Sequence, residues 1–202
     1  MTATRALMPD QGPLGGRLAR ALQKLYDVLR TEKRQQWKRD LPFSELLFDR
    51  WERARSLGFG AGSSIYHSSL VYGDVRVGEN TWIGPNTLLD GSHGLTIGHS
   101  CSISAGVNIY THDTVQWALS GGQAAAEGSP VSVGDCTHIG GQCVIARGVT
   151  IGDHVVIGAC SFVNRDIPPW TVAAGAPCRP IGRVELRDGR YVLVYDRERP
   201  QP

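Results

Sequence analysis

No stretch of this 202-residue sequence is apolar over the length that a membrane-crossing helix or a secretory leader needs. The N-terminal run MTATRALMPDQGPLGG has no such core either, so the expectation is a soluble cytoplasmic protein without a transmembrane segment. An excess of one charge is also missing. The chain carries 21 Lys+Arg against 19 Asp+Glu, which removes any bulk electrostatic case for a nucleic acid or an anionic membrane as partner. An anionic ligand must then be held by local arginines. The five cysteines, Cys101, Cys136, Cys143, Cys160 and Cys178, are odd in number and contain no Cys-x-x-Cys pair, so reduced thiols are expected rather than a disulfide framework.

What is present divides into three kinds of pattern. Over residues 15–40, Leu18, Leu22, Leu25 and Leu29 recur at steps of three and four among charged residues, which predicts an amphipathic helix. A second helix is expected over about 44–57, with Leu47, Phe48, Trp51 and Ala54 on one side. Pro42 separates the two, and Gly58 and Gly60 close the second. From Ile65 onward an aliphatic residue returns every six positions: Ile65, Val71, Val77, Ile83, Leu89. After a slip at DGSHG the beat resumes at Ile97, Ile103 and Ile109, and later it runs Val133, Ile139, Ile145, Ile151, Ile157, Val163. In that last run the next residue is Gly134, Gly140, Ala146, Gly152, Gly158 or Asn164, so a small residue repeats as well.

Neither a helix nor an ordinary strand has a period of six. A short strand followed by a corner does, with the aliphatic residue pointing inward and the small one easing the turn. Three such sides make a triangular coil, and stacked coils form parallel ladders about 4.8 Å apart. Solenoids of this kind need covered ends. The N-terminal helices are placed to cover the first coil, and 184–195, alternating around Asp188-Gly189, reads as a type I′ hairpin at the other end.

The beat from Ile65 to Val163, followed by NRDIPPWTVAAGAPCRPIGRV, resembles the hexapeptide-repeat acyltransferases. Within that superfamily it is most similar to the galactoside and maltose O-acetyltransferases and to the sugar O-acetyltransferases of polysaccharide synthesis. The resemblance covers about residues 62–183. It implies a mainly β chain folded as a left-handed parallel β-helix, a homotrimer with sites between neighbouring subunits, and acetyl-CoA as donor. The expected organisation is an N-terminal helical cap over 1–60, the β-helix over 61–182 with a loop at 113–130, and a C-terminal hairpin and tail over 183–202.

The loop follows from the repeat itself. Gly121 and Glu127 fall where inward aliphatics belong, so the chain is expected to leave the solenoid after Ile109 and return by Val133. His112 stands at the root of that excursion. A hydroxyl is a poor nucleophile until its proton is removed, and an imidazole suits that task. The family carries its general base on a histidine in this place, so the resemblance assigns the role to His112; the plain alternative is a surface histidine in a turn. Asp90 and Asp113 are candidates to contact the acceptor, with turn-forming roles as the alternative, and Trp82 and Trp117 could stack on a sugar face or simply pack. Resemblance further implies donor contacts at Gly141, Ala159, Asn164, Arg165, Arg179 and, within one residue of the family position, Arg183. Cys101 and Cys143 occupy small packing positions and are not expected to be nucleophiles.

The function expected is acetyl transfer from acetyl-CoA to a hydroxyl of a sugar or saccharide precursor. An N-acetyltransferase acting on a nucleotide-linked amino sugar is the alternative on the same fold. A zinc hydrolyase of the γ-carbonic-anhydrase kind shares the solenoid but needs three imidazoles and an H-x-x-x-x-H pair. No two of the six histidines have that spacing, and no metal is expected. A non-enzymatic scaffold is the remaining rival.

Overall fold

Aliphatic side chains stack in three inward columns, each residue directly above its counterpart one coil below. The first column is Ile65, Ile83, Ile103, Ile139, Ile157 and Ala173. The second is Val71, Leu89, Ile109, Ile145 and Val163. Val77, Ile97, Val133, Ile151 and Ile167 make the third. All of these pairings are parallel, and all the residues are buried except half-buried Val71. This computed structural model describes residues 12–196; residues 1–11 of the expected N-terminal region and 197–202 of the expected tail lie outside the described residues.

Most walls are strands of only two residues, such as His138–Ile139 and Val144–Ile145, because the chain must turn after each one. The corners use left-handed backbone at Asn80, Ser100, Cys136 and His154, at φ of 55° in each case. Corner amides find side chains in the next coil: Asp135 Oδ1 accepts the His99 N–H at 2.7 Å, and Asp153 Oδ1 accepts the Asp135 N–H at 2.8 Å. The ladder is therefore closed by polar groups where a flat sheet would continue.

One corner breaks the rule, the passage from the second column to the third. Val77 follows Val71 by six positions, but Ile97 follows Leu89 by eight and Val133 follows Ile109 by twenty-four. The first surplus is a bulge: in the pairing of Leu70–Val77 with Leu88–Ile97, Gly73 faces Gly91 and Val75 faces Leu95, so Ser92, His93 and Gly94 stand against the single residue Asp74. The second surplus is the expected loop, and it has structure of its own. His112–Asp113 pairs antiparallel with Glu127–Gly128, and a short helix, Val115–Leu119, lies between them.

The described residues up to Asp49 form one compact unit and those from Arg50 onward the other. In the first unit, α1 spans Gly12–Trp37 and α2 spans Phe43–Leu47. Tyr26 meets Phe43 edge-on at 5.9 Å, and Arg30 holds Asp40 through two hydrogen bonds of 2.8 and 2.7 Å. The Arg30 hydrogen bonds draw the Asp40 carboxyl down to about 2, with Arg34 adding to the effect. The second helix expected over 44–57 is in fact two, because Phe48 is extended at φ −115° and ψ 141°; α3 spans Arg50–Ser56 and belongs to the second unit. There, Ala54 and Phe59 join the solenoid core, while Arg53 donates to the carbonyls of Tyr66 and Ser69.

At the other end, Arg179–Arg187 pairs antiparallel with Thr171–Ala174 and then with Arg190–Tyr195, covering the edge of the first wall. Asp188 and Gly189, with φ of 48° and 74°, form the two-residue turn of that hairpin. The rings of His154, Trp170 and Tyr191 cluster here, with His154 4.1 Å from Trp170 and 5.4 Å from Tyr191, centroid to centroid. Since Ile139 is fully buried between Ile103 and Ile157, Ile139→Ala is expected to lower unfolding free energy by about 2–5 kcal/mol, read from the denaturant midpoint.

Candidate functional site

The irregular corner brings together side chains that are far apart in sequence. Leu89 sits beneath Ile109 and Ile109 beneath Ile145, so Asp90, Thr111 to Asp113 and Arg147 come from three successive coils. The bulge at Ser92 and His93 folds back over Asp90, whose side chain is 1% exposed. Ser92 donates to Oδ1 through its hydroxyl at 2.6 Å and its backbone N–H at 3.0 Å. Oδ2 takes the Thr111 N–H at 2.8 Å, the Thr111 hydroxyl at 3.2 Å and His112 Nδ1 at 2.7 Å.

Burial by itself would raise the Asp90 carboxyl, but the Ser92 hydroxyl, the Thr111 and Ser92 amides and His112 outweigh it and hold the group well below the usual carboxylate range. Asp90 is therefore an acceptor only. It follows that Nδ1 of His112 carries a proton in this contact, so that in the neutral ring the lone pair is on Nε2. The imidazole is about one-third exposed, and it lines a cleft of about 430 Å³ with Tyr110, Val144, Arg147 and Phe162. A buried carboxylate that fixes the tautomer of an accessible imidazole can orient a base for proton abstraction.

Asp113 does not share in that pair. Its Oδ1 accepts the Val115 N–H at 3.0 Å, and its Oδ2 meets Arg147 Nε at 2.5 Å; these two contacts lower its carboxyl. Across the ladder from it, Glu127 meets Arg147 Nη2 at 2.6 Å. His93 lies beside the site with its ring 6.2 Å from that of His112, and its N–H donates to the Thr111 hydroxyl. Gly128 passes so close to the His93 ring that a Cβ there would overlap it. Ser92, His93, Thr111 and Arg147 were not singled out in the sequence. Ser92 and His93 left a trace there as part of the DGSHG slip, and Arg147 as a charged residue in the segment VIARG.

The expected donor residues fall in separate places on the single chain. Gly141 and Ala159 line a shallow groove of about 330 Å³ with Ser104, His138 and Tyr195. Its floor, Gly140, Gly141, Gly158 and Ala159, is nearly bare of side chains, which leaves room for a narrow chain with amide groups. Asn164 and Arg165 are exposed on the irregular corner, one coil beyond Ala146 and Arg147. Arg179 donates to the Cys178 carbonyl at 2.7 Å, and Arg183 is paired with Glu185 at 2.5 Å within the hairpin. Trp117 is exposed on the short helix of the excursion, while Trp82 is exposed on the first wall, away from the irregular corner. Cys101 and Cys143 are buried, and burial pushes both thiols up, as suits packing residues.

Residues 74–111 match the family profile described as hexapeptide repeat of succinyl-transferase, and 130–165 match bacterial transferase hexapeptide (six repeats). Over 137 residues the chain is 36% identical to galactoside O-acetyltransferase of Escherichia coli K12, covering 58% of this chain and 68% of that enzyme. The chain belongs to the hexapeptide-repeat acetyltransferases. Another member of the family, a putative acetyltransferase of Saccharomyces cerevisiae, is 39% identical over 119 residues, which span 57% of this chain and 59% of the yeast protein. Among solved members, a hexapeptide-repeat acetyltransferase from Vibrio cholerae superposes with a TM-score of 0.58 at 28% identity, over 81% of this chain and 91% of that one. The same protein complexed with acetyl coenzyme A matches at 30% identity and a TM-score of 0.54. The mainly β, left-handed parallel β-helix that the resemblance implied is thus the fold of this hexapeptide-repeat acetyltransferase. Among the described residues, no helix is long and apolar enough to cross a membrane.

Proposed function

We propose that this protein transfers the acetyl group of acetyl-CoA to a hydroxyl of a sugar or saccharide precursor, with His112 as general base and Asp90 as the residue that orients it. The observation that carries this reading is the 2.7 Å contact between buried Asp90 and His112 Nδ1 at the edge of the cleft. Acetyl-CoA supplies an activated carbonyl. Nε2 of His112 takes the proton of the acceptor hydroxyl as its oxygen attacks that carbonyl; the C–O bond forms, the C–S bond breaks, and the departing thiolate recovers the proton from the imidazolium. A backbone N–H stabilises the oxyanion. The same proton balance requires no covalent acetyl-enzyme.

The donor contacts proposed are Gly141 and Ala159 for the pantetheine arm, with Asn164, Arg165, Arg179 and Arg183 toward the phosphates, where the planar guanidinium fork is the suitable group. Asp113, Trp82 and Trp117 are proposed on the acceptor side. A homotrimer joins these groups, and exposed Trp82, Phe162 and Tyr110 on the outer walls favour burial against a second copy. The expected active species has three times the 21.9 kDa chain mass.

The test is thiol release from acetyl-CoA across sugars, nucleotide sugars and amino sugars. Saturable release with a hydroxyl acceptor, giving a product cleaved by mild alkali, is expected. An alkali-stable product made only from amino sugars would move the assignment to N-acetyl transfer, and no release with any acceptor would remove the enzymatic reading.

A further inference from the structure

The twenty-three residues between Ile109 and Val133 leave the solenoid and return to it through a two-strand ladder, His112–Asp113 against Glu127–Gly128. In that ladder Asp113 and Glu127 are directly opposite each other. Two carboxylates in this relation repel, so the pairing opposes the very ribbon it belongs to. Arg147 answers both. It projects from the wall one coil on, after Ile145, and its Nε meets Asp113 Oδ2 at 2.5 Å while its Nη2 meets Glu127 Oε2 at 2.6 Å. The side chain is about one-third exposed and lines the same cleft as His112.

We propose that Arg147 is a positioning residue, a two-point clasp that closes the excursion onto the solenoid wall and so holds the backbone of His112 and the rim of the cleft in register. Asp113 is bonded directly to His112 along the chain, so whatever fixes Asp113 fixes one side of the imidazole's backbone. Asp90 fixes the other side through Nδ1. Guanidinium is the group for this task because its fork reaches two carboxylates at once, whereas an ammonium is a single point of charge. Several attachments at the excursion's root come from the chain's own backbone, such as the Ser129 N–H to the Thr111 carbonyl at 2.9 Å. Arg147 ties both of its strands to a different coil.

The role rests on the acetyl-transfer reading only for its kinetic consequence, so the experiment has two independent readouts. In the ligand-free protein, chymotryptic cutting at Trp117 to Leu119 is expected to be about ten-fold faster in Arg147→Met than in wild type, with an unchanged thermal midpoint. In the thiol-release assay the same variant is expected to lose about ten-fold in kcat/KM for the acceptor while KM for acetyl-CoA stays as in wild type. Adding Glu127→Gln removes the repulsion that the arginine offsets, so the double variant recovers most of both losses. Arg147→Lys is expected to fall between wild type and Arg147→Met, and it keeps the test open if the methionine variant folds poorly. Cutting at the wild-type rate in Arg147→Met overturns the clasp. So does an acceptor defect that Glu127→Gln leaves uncorrected, since the arginine would then be contacting substrate itself. Absence of thiol release in the wild type defeats the functional reading alone, because the cutting rates still decide the clasp.

Discussion

His112→Ala is expected to lower kcat for acetyl transfer by roughly 10²- to 10⁴-fold, the usual contribution of a positioned general base. KM for acetyl-CoA should hold, because the proposed donor contacts at Gly141 and Ala159 lie in a groove that His112 does not line. Unfolding should be little affected. The imidazole is about one-third exposed, and Asp90 keeps four other donors, from Ser92 and Thr111, when the ring is gone. His112→Gln is the sharper control, since an amide can still donate to Asp90 but cannot take up a proton at neutral pH. Both variants should lose activity alike in the thiol-release assay. Turnover within about ten-fold of wild type in either would assign the base elsewhere.

Asp90→Asn is expected to cost about 10²-fold or more in kcat through the tautomer rather than the geometry. An asparagine amide can donate to Nδ1, which puts the ring proton on Nε2 and removes the lone pair that the reaction needs. The same variant carries a stability signature with a defined sign. In the folded protein the Asp90 carboxyl is held well below its ordinary range, with the Ser92 and Thr111 hydrogen bonds overcoming burial. A carboxyl lowered on folding contributes stability that is fully present above the unfolded value of about 3.9 and is lost as pH falls through the folded value. The stability gap between wild type and Asp90→Asn should thus be widest near neutral pH and narrow below about pH 4, as measured by denaturant unfolding across pH. An equal gap at both ends would mean that the carboxylate's charge does not enter the folded state's energetics. Full activity in Asp90→Asn would separate the buried carboxylate from the chemistry.

These two variants depend on residues of unequal visibility in the sequence. His112 stands at the end of a broken repeat, and the break itself marks the root of an excursion. The purpose of Asp90 was not visible. Its place in LLDGSHG suggested either a turn or a contact with the acceptor, whereas its oxygens are filled by Ser92, Thr111 and His112 behind the imidazole. Asp113, the carboxylate next to His112 in sequence, points to Arg147 instead. Adjacency along the chain and adjacency in the site differ here because neighbours in a β-helix are one coil apart. Asp90 and His112 are twenty-two residues apart, and Asp113 and Arg147 thirty-four.

The excursion shows the same division. Its existence follows from Gly121 and Glu127, which cannot serve as inward aliphatics. Its ribbon and short helix are held by contacts that no local pattern announces, such as the pairing of Glu127 with Asp113 and the clasp from Arg147. The helix expected over 44–57 failed in another way. Its apolar spacing runs unbroken through Phe48, yet the backbone is extended there and α3 begins anew at Arg50.

The sequence by itself determined the solenoid, since a strand-and-corner repeat must place an aliphatic residue every six positions to build its own core, whatever else the protein does. It also marked where that repeat is interrupted. Only the tertiary structure decided which side chains meet at the interruption. Stacking brings residues of successive coils within hydrogen-bonding distance, and the bulge at Ser92, His93 and Gly94 together with the long excursion sets which coils' side chains face each other. The register between coils is a property of the folded stack, and the pairing of Asp90 with His112 exists only there.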